Sequence, residues 1–273
     1  MREKVIIYRN DLKNEIDLEK SEFADENIKN MYYEYKNKSK IELRIKNCEL
    51  ENYYYLDLSK MALNDILLEK LFNLDRIKNI LNRVYLIDLE NNLLKKMPNI
   101  SKYINIKCIN VNNNNIEEEI NDDNIEEIFC ENNKIKKINS KSLKRLIANN
   151  NEISEINTPN LEQIFIDNNK LEKLENMNKI KYIECVNNNI KTINNVENVE
   201  EIYCAKNNIQ DFNIKLNKIN ILNIVENPIK NINFIPNLKM LICSTPNISS
   251  KFNIESINKN KNYYFIVMKN NQN

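Results

Sequence analysis

Over most of the chain the apolar residues fall in one recurring frame. In residues 125–138 they stand at positions 1, 4 and 6 (Ile125, Ile128, Cys130), an Asn holds position 9 (Asn133), and Ile returns at positions 11 and 14 (Ile135, Ile138). The same frame starts again at Leu143, Leu161, Ile180, Val199 and Ile219, and earlier at Val84 and Ile106. A last copy starts at Leu238 but carries Pro246 where the Asn belongs. Successive starts lie 18 to 22 residues apart, a period that marks a solenoid of stacked turns. Positions 1 to 7 read as a short strand with residues 4 and 6 on one side. One such strand cannot bury its apolar side alone, so neighbouring turns must stack and share a core beneath a parallel sheet.

The Asn at position 9 sits where the chain leaves the strand: Asn92, Asn114, Asn133, Asn151, Asn169, Asn188, Asn207 and Asn227. An amide has two N–H donors and an oxygen acceptor, which suits it to turn backbone groups that stacking takes out of water. Repeated turn after turn, these side chains predict an inner Asn ladder. Pro246 has no amide side chain and no backbone N–H, so the ladder is expected to stop there.

This pattern resembles that of leucine-rich repeat proteins, LxxLxLxxNxLxxL, with Ile largely in place of Leu, over about 170 of the 273 residues. The resemblance implies an α/β fold: a right-handed solenoid, horseshoe or arc, with a parallel β-sheet on its concave face. Repeats this short imply irregular or 3-10 segments on the convex side. The resemblance also implies a scaffold for protein–protein interaction, and fold alone does not name the partner.

Three regions follow. Residues 84–251 hold nine short repeats. Residues 1–83 read as an N-terminal cap with irregular entry repeats and an amphipathic helix. Residues 252–273 read as a C-terminal cap strand and tail, the strand being Tyr263-Tyr-Phe-Ile-Val-Met268. Within the first region, residues 4–8 suggest a strand and the charged residues 9–30 a helix or loose order. Tyr32, Tyr33 and Tyr35 read as cover for one end of the core. Residues 41–50, with Ile41, Leu43 and Ile45 alternating, read as a degenerate repeat with Cys48 at position 9. A second irregular copy starts at Tyr53 (Leu56, Leu58, Met61, Leu63, Ile66). Leu67, Leu71, Leu74, Ile77, Ile80 and Leu81 then recur at helical spacing, which predicts one or two amphipathic helices. The stretch 63–74 is also similar to the opening helix of an F-box, with Asn64 where that motif has Pro. That likeness implies an alternative function: a substrate-recognition adaptor recruiting ubiquitin-ligase machinery through residues 63–83.

Composition narrows the chemistry. There is no His and no Gly, so Ser-His-Asp and Cys-His catalysis, His-ligated metals and phosphate-cradling loops are excluded by residue type. Carboxylates are plentiful but fall on solvent positions of the frame, so no catalytic residue, metal or cofactor is expected and the chain reads as non-enzymatic. Net charge is +1 with both signs interleaved, which argues against nucleic acid or a membrane surface as partner. No small-molecule substrate is indicated, and a monomer is expected. Cys130, Cys185, Cys204 and Cys243 all fall on position 6 and read as small core residues. No early apolar run is long enough for a leader or a span, so a cytoplasmic setting is expected. The Asn/Ile/Lys enrichment is similar to that of repeat proteins from AT-rich genomes, insect poxviruses among them; for such an origin the setting would be a host cytoplasm. With Gly absent, Asn is expected to take left-handed turn positions.

Binding is where the frame gives most detail. Positions 2, 3, 5 and 7 face solvent, and position 5 runs down the middle of the sheet: Asp88, Asn110, Phe129, Ile147, Phe165, Glu184, Tyr203, Asn223, Ile242. Phe129, Ile147, Phe165, Glu184 and Tyr203 form the candidate partner-binding row, since adjacent strands lie about 5 Å apart. Its rim carries Glu126, Glu127, Glu131, Glu162, Asp167, Glu200 and Glu201 against Lys144, Arg145 and Lys181. An exposed apolar stripe rimmed by charge, with aromatic anchors, points to a protein partner.

Overall fold

A computed structural model describes residues 26–50, 52–212, 217–232, 235, 237–245 and 264–269. The chain divides into two compact units, residues 1–42 and 43–273. The first elements among the described residues are helix α1 (Glu26–Leu50), strand β1 (Tyr55–Asp57), and helices α2 (Asp65–Phe72) and α3 (Asp75–Leu81). The repeats follow as β2 (Leu86–Asp88), β3 (Cys108–Asn110), β4 (Ile120–Asn121), β5 (Glu127–Phe129), β6 (Lys137–Asn139) and β7 (Arg145–Ile147). Next come β8 (Glu155–Asn157), β9 (Gln163–Phe165), β10 (Lys173–Glu175), β11 (Tyr182–Glu184), β12 (Thr192–Asn194) and β13 (Glu201–Tyr203). The last are β14 (Asp211–Phe212), β15 (Ile221–Asn223), β16 (Asn231–Ile232), β17 (Met240–Thr245) and β18 (Tyr264–Lys269).

The second unit is a solenoid of leucine-rich-repeat form. Among the described residues its main sheet has eleven strands in the order β1-β2-β3-β5-β7-β9-β11-β13-β15-β17-β18, every neighbouring pair parallel. Register is set by position 4. Ile109, Ile128, Leu146, Ile164, Ile183 and Ile202 are successive Cα partners, and each is buried. Removing one such side chain from water stabilises by roughly 1.5–3 kcal/mol. A slip of one residue would turn the whole row to solvent.

The return side is partly sheet as well. Strands β4-β6-β8, β10-β12 and β14-β16 form three smaller parallel ladders. From β6 onward they are centred on position 14, as in the pairs Ile138↔Ile156 and Leu174↔Ile193. Each apolar residue at 14 is flanked by polar ones, so stacking alone sets two or three residues in register between the irregular stretches.

The turn out of each main strand from β2 to β15 takes a left-handed residue at position 8. Asn91, Asn113, Asn132, Asn150, Asn168 and Asn187 take it with φ of 54–58°, and Lys206 and Glu226 follow at 55° and 54°. Asn tolerates this region better than other residues with a Cβ. Next to it lies the Asn of position 9. All eight of these are buried, 4–8 % exposed. Asn151 shows the pattern: its Nδ2 donates to the carbonyls of Ala148 and Asn149 in its own turn and of Cys130 in the turn before. Its Oδ1 accepts from the Ile135 N–H, again in the turn before, at 3.0 Å. Asn114, Asn133, Asn169, Asn188, Asn207 and Asn227 repeat that inward acceptance from Leu94, Ile116, Ile153, Leu171, Ile190 and Ile209. Asn92 begins the ladder by accepting from Met61 and Leu63.

The entry differs from its sequence reading. Residues 41–50 form the last turns of α1, not a degenerate repeat. Ile45 and Cys48, three apart, are buried, so the period in force is helical. Leu43 and Leu50, which a strand would have placed inward, are exposed. The run Glu-Leu-Arg-Ile-Lys is rich in strong helix formers, and the alternation of Ile41, Leu43 and Ile45 carried no strand. The copy from Tyr53 does join the sheet, through β1. The helical spacing after it gives two helices, with Leu71, Ile77, Ile80 and Leu81 buried as well as Leu68 and Phe72. Asn64 caps α2, its Oδ1 accepting from the Leu67 N–H at 2.9 Å.

At the far end the apolar run near the C-terminus forms β18, paired in parallel with β17 over six residues from Met240↔Tyr264 to Thr245↔Lys269. Residues 4–8, the side chains of Tyr32, Tyr33 and Tyr35, Pro246 and residues 252–257 lie outside the described residues. All six cysteines are buried. Burial pushes the Cys108 and Cys204 thiols up to about 12, so they stay protonated and unreactive. Among the described residues no helix is long and apolar enough to cross a membrane.

Candidate partner-binding face

Strand pleating buries positions 4 and 6 and turns 3, 5 and 7 outward. The outward face of the main sheet is therefore three rows of side chains held on a hydrogen-bonded backbone. The central row contains the residues singled out above: Phe129, Ile147, Phe165, Glu184 and Tyr203 are successive Cα partners on β5, β7, β9, β11 and β13. Each is half-buried.

Position 3 supplies what the central row lacks. Where Glu184 interrupts the apolar series, Tyr182 from the same strand leans across. Its ring lies 4.9 Å from Phe165 and 5.6 Å from Tyr203, centroid to centroid, at tilts of 30° and 38°. These are the separations of favourable aromatic pairs. The three rings thus form one surface over β9, β11 and β13. Tyr182 was outside the candidate row, yet the period of two marks it: residues 3 and 5 of a strand share a face. The tyrosines are anchored by their own strands. Tyr182 Oη donates to Glu184 Oε2 at 2.8 Å and Tyr203 Oη to Glu201 Oε2 at 3.0 Å. Partial burial, then these carboxylates, raise both phenols above their ordinary range, so both remain hydrogen-bond donors.

On β5 and β7 the face is finished differently. The Arg145 guanidinium lies 5.4 Å over the Phe129 ring and 3.7 Å from Glu127. Its Nε is buried without a hydrogen-bond partner among the described residues, so the ring and the carboxylate hold it.

Position 7 forms the third row. Asn112 Oδ1 accepts from the Glu131 N–H, Asn149 Oδ1 from Asp167 N–H, and Asp167 Oδ1 from Val186 N–H, at 2.6, 2.7 and 2.6 Å. Partial burial pushes the Asp167 carboxyl up to about 6, against the Val186 N–H, which pulls it down; neighbouring Glu184 adds to the rise. On the opposite rim, position 2 alternates in sign from turn to turn and largely neutralises itself: Lys144 pairs with Glu126 at 2.6 Å and Lys181 with Glu162 at 3.3 Å. Among the described residues no group of three or more Cys, Asp or Glu is placed to hold a metal ion.

No family model matches the chain. No curated protein matches its sequence. Among solved structures, a chain of the LRIM1/APL1C complex aligns with 63 % of this chain at 17 % identity and a TM-score of 0.49. The APL1 leucine-rich repeat domain aligns with 70 % at 14 % identity and a TM-score of 0.35. The matched stretch spans 36 % of the length of the first and 67 % of the second. The assignment of fold rests on the strand order and Asn ladder of this chain.

Proposed function

We propose that this chain is a non-enzymatic protein-binding scaffold whose partner docks on the outward face of the main sheet between β5 and β13. The observation that carries this reading is the continuity of half-exposed apolar and aromatic side chains across five consecutive strands. Phe129, Ile147, Phe165, Tyr182 and Tyr203 stand on hydrogen-bonded strands, so a partner would meet them already ordered and lose little side-chain entropy. Large rings with charged neighbours are the usual anchors of an interface. The test is affinity capture from cell extract with the wild-type chain and a Phe129→Glu, Phe165→Glu, Tyr203→Glu variant shown by circular dichroism to be folded. A partner captured by the wild type and lost with the variant supports the reading; equal capture by both sinks it.

A second reading, recruitment of ubiquitin-ligase machinery through residues 63–83, is favoured by one observation. Ile66, Leu67 and Leu74 stand exposed on or beside α2 and α3. Capture of a ligase adaptor that persists in the triple variant and disappears on Ile66→Glu, Leu67→Glu would select it.

A further inference from the structure

The outward face takes up positive charge in two places and leaves a third open. At β1, Arg44 pairs with Asp57, and Tyr55 beside them donates from Oη to Asp88 Oδ2 at 2.9 Å. At β5 and β7, Arg145 lies over Phe129 and beside Glu127. Both places combine a ring, a carboxylate and a guanidinium drawn from the chain itself. From β9 onward the pattern changes. Positions 3, 5 and 7 of the turns bearing β9, β11 and β13 read Gln163, Phe165, Asp167; Tyr182, Glu184, Val186; and Glu201, Tyr203, Ala205. Three rings and three carboxylates stand there with no Lys or Arg in the nine positions. The next two turns, Ile221, Asn223, Val225 and Met240, Ile242, Ser244, add none. Among the described residues, none of Asp167, Glu184 and Glu201 is in an ion pair. The rings are in place, 4.9 and 5.6 Å apart, and two of the carboxylates are held by tyrosine hydroxyls.

We propose that the occupant of this face is a protein segment that brings an arginine side chain, seated over Phe165, Tyr182 and Tyr203, with Asp167, Glu184 and Glu201 as its counter-charges. The proposal rests on the docking reading above and specifies the partner's chemistry. A guanidinium suits the site better than an ammonium. It is planar and less strongly hydrated, it stacks on rings while its N–H groups reach carboxylates at the edge, and Arg145 already does this two strands away. A guanidinium seated against ring faces is attracted by their negative π surfaces. The unmatched carboxylates add a salt-sensitive attraction that also speeds encounter.

The test uses three acetylated, amidated octapeptides alternating Leu with Arg, Gln or Glu, titrated calorimetrically into the full chain at low and high salt. The Arg peptide is expected to bind at least about tenfold more tightly than the Gln peptide at low salt, with the preference shrinking at high salt. The Glu peptide is expected not to bind. In an Asp167→Asn, Glu184→Gln, Glu201→Gln variant, which keeps the shapes and leaves each side chain one oxygen to accept its present hydrogen bond, the Arg preference should vanish. An undiminished preference in that variant overturns the proposal, since the cation is then taken elsewhere. Equal binding of the Arg and Gln peptides, both abolished by Phe165→Glu, also overturns it while leaving the docking reading intact. Failure of all three peptides to bind counts against the arginine site, and affinity capture still decides the docking face by itself.

Discussion

Asp167 does by ionisation what Asn149 does without it. Both stand at position 7 and both accept, through Oδ1, the N–H of the residue at position 7 in the next turn. Asp167 adds a charge in a half-buried place beside Glu184, so its carboxyl titrates near 6, above the ordinary 3.8. A folded pKa above the unfolded one means that the folded chain holds the proton more tightly. The ionised form therefore weakens the fold at pH above 6, and the cost is relieved as pH falls from 6 towards 4. Asp167→Asn should keep the hydrogen bond to Val186 and remove the charge. Its unfolding free energy from urea titration should rise at pH 7.5, by about 1 kcal/mol once solvent screening of a half-exposed group is allowed for. At pH 4 it should equal wild type. A variant less stable at both pH values would show that the carboxylate is a net support.

At the scale of the turn, the repeat was legible because each position had one job. Apolar residues at 4 and 6 must face inward, an amide at 9 must satisfy the turn, and a residue tolerant of positive φ must precede it. Two features were harder to read. The alternation of Ile41, Leu43 and Ile45 mimicked a strand, because three residues at spacing two cannot be told from chance without the helix that surrounds them. Tyr182 stands at position 3, outside the position-5 column, and its contacts with Phe165 and Tyr203 run diagonally between the two columns. The ladder makes the sharper energetic statement. Asn169 donates to the carbonyls of Ala148, Ile166 and Asp167 and accepts from the Ile153 N–H. Asn169→Leu would orphan the buried Ile153 N–H and take one donor from each of the three carbonyls, which keep Asn151, Asn188 and the Asn150 N–H, at about 1–3 kcal/mol for the N–H and about 1 kcal/mol for each lost bond before relaxation. A loss on the order of 3–5 kcal/mol in chemical denaturation is expected. A loss below 1 kcal/mol would mean that water replaces the amide.

At the scale of the whole solenoid, each turn touches its neighbours through the same registers, so turns should be interchangeable units. Asn151 and Asn169 occupy the same position 18 residues apart. Deleting residues 152–169 joins Asn151 to Lys170 and restores the frame without a slip. The shortened chain should fold with the same circular dichroism per residue. Its unfolding should show a urea slope lower by roughly one turn's share of the exposed surface. Deleting residues 152–168 instead would set Lys170 at position 11, where the core needs an apolar residue, and that chain should be less stable and aggregate.

The ladder also has a direction. Each amide reaches back: Asn207 accepts from Ile190 and donates to Cys185, both in the preceding turn. A newly made turn therefore holds an open N–H, and a carbonyl with only its own turn's Asn as donor, until the Asn of the next turn, about 20 residues later, has emerged from the ribosome. At 5–20 residues per second that interval is about 1–4 s. The nascent chain would close one turn at a time from its N-terminal end, and at every moment of its synthesis the youngest turn would be the one still waiting for its lock.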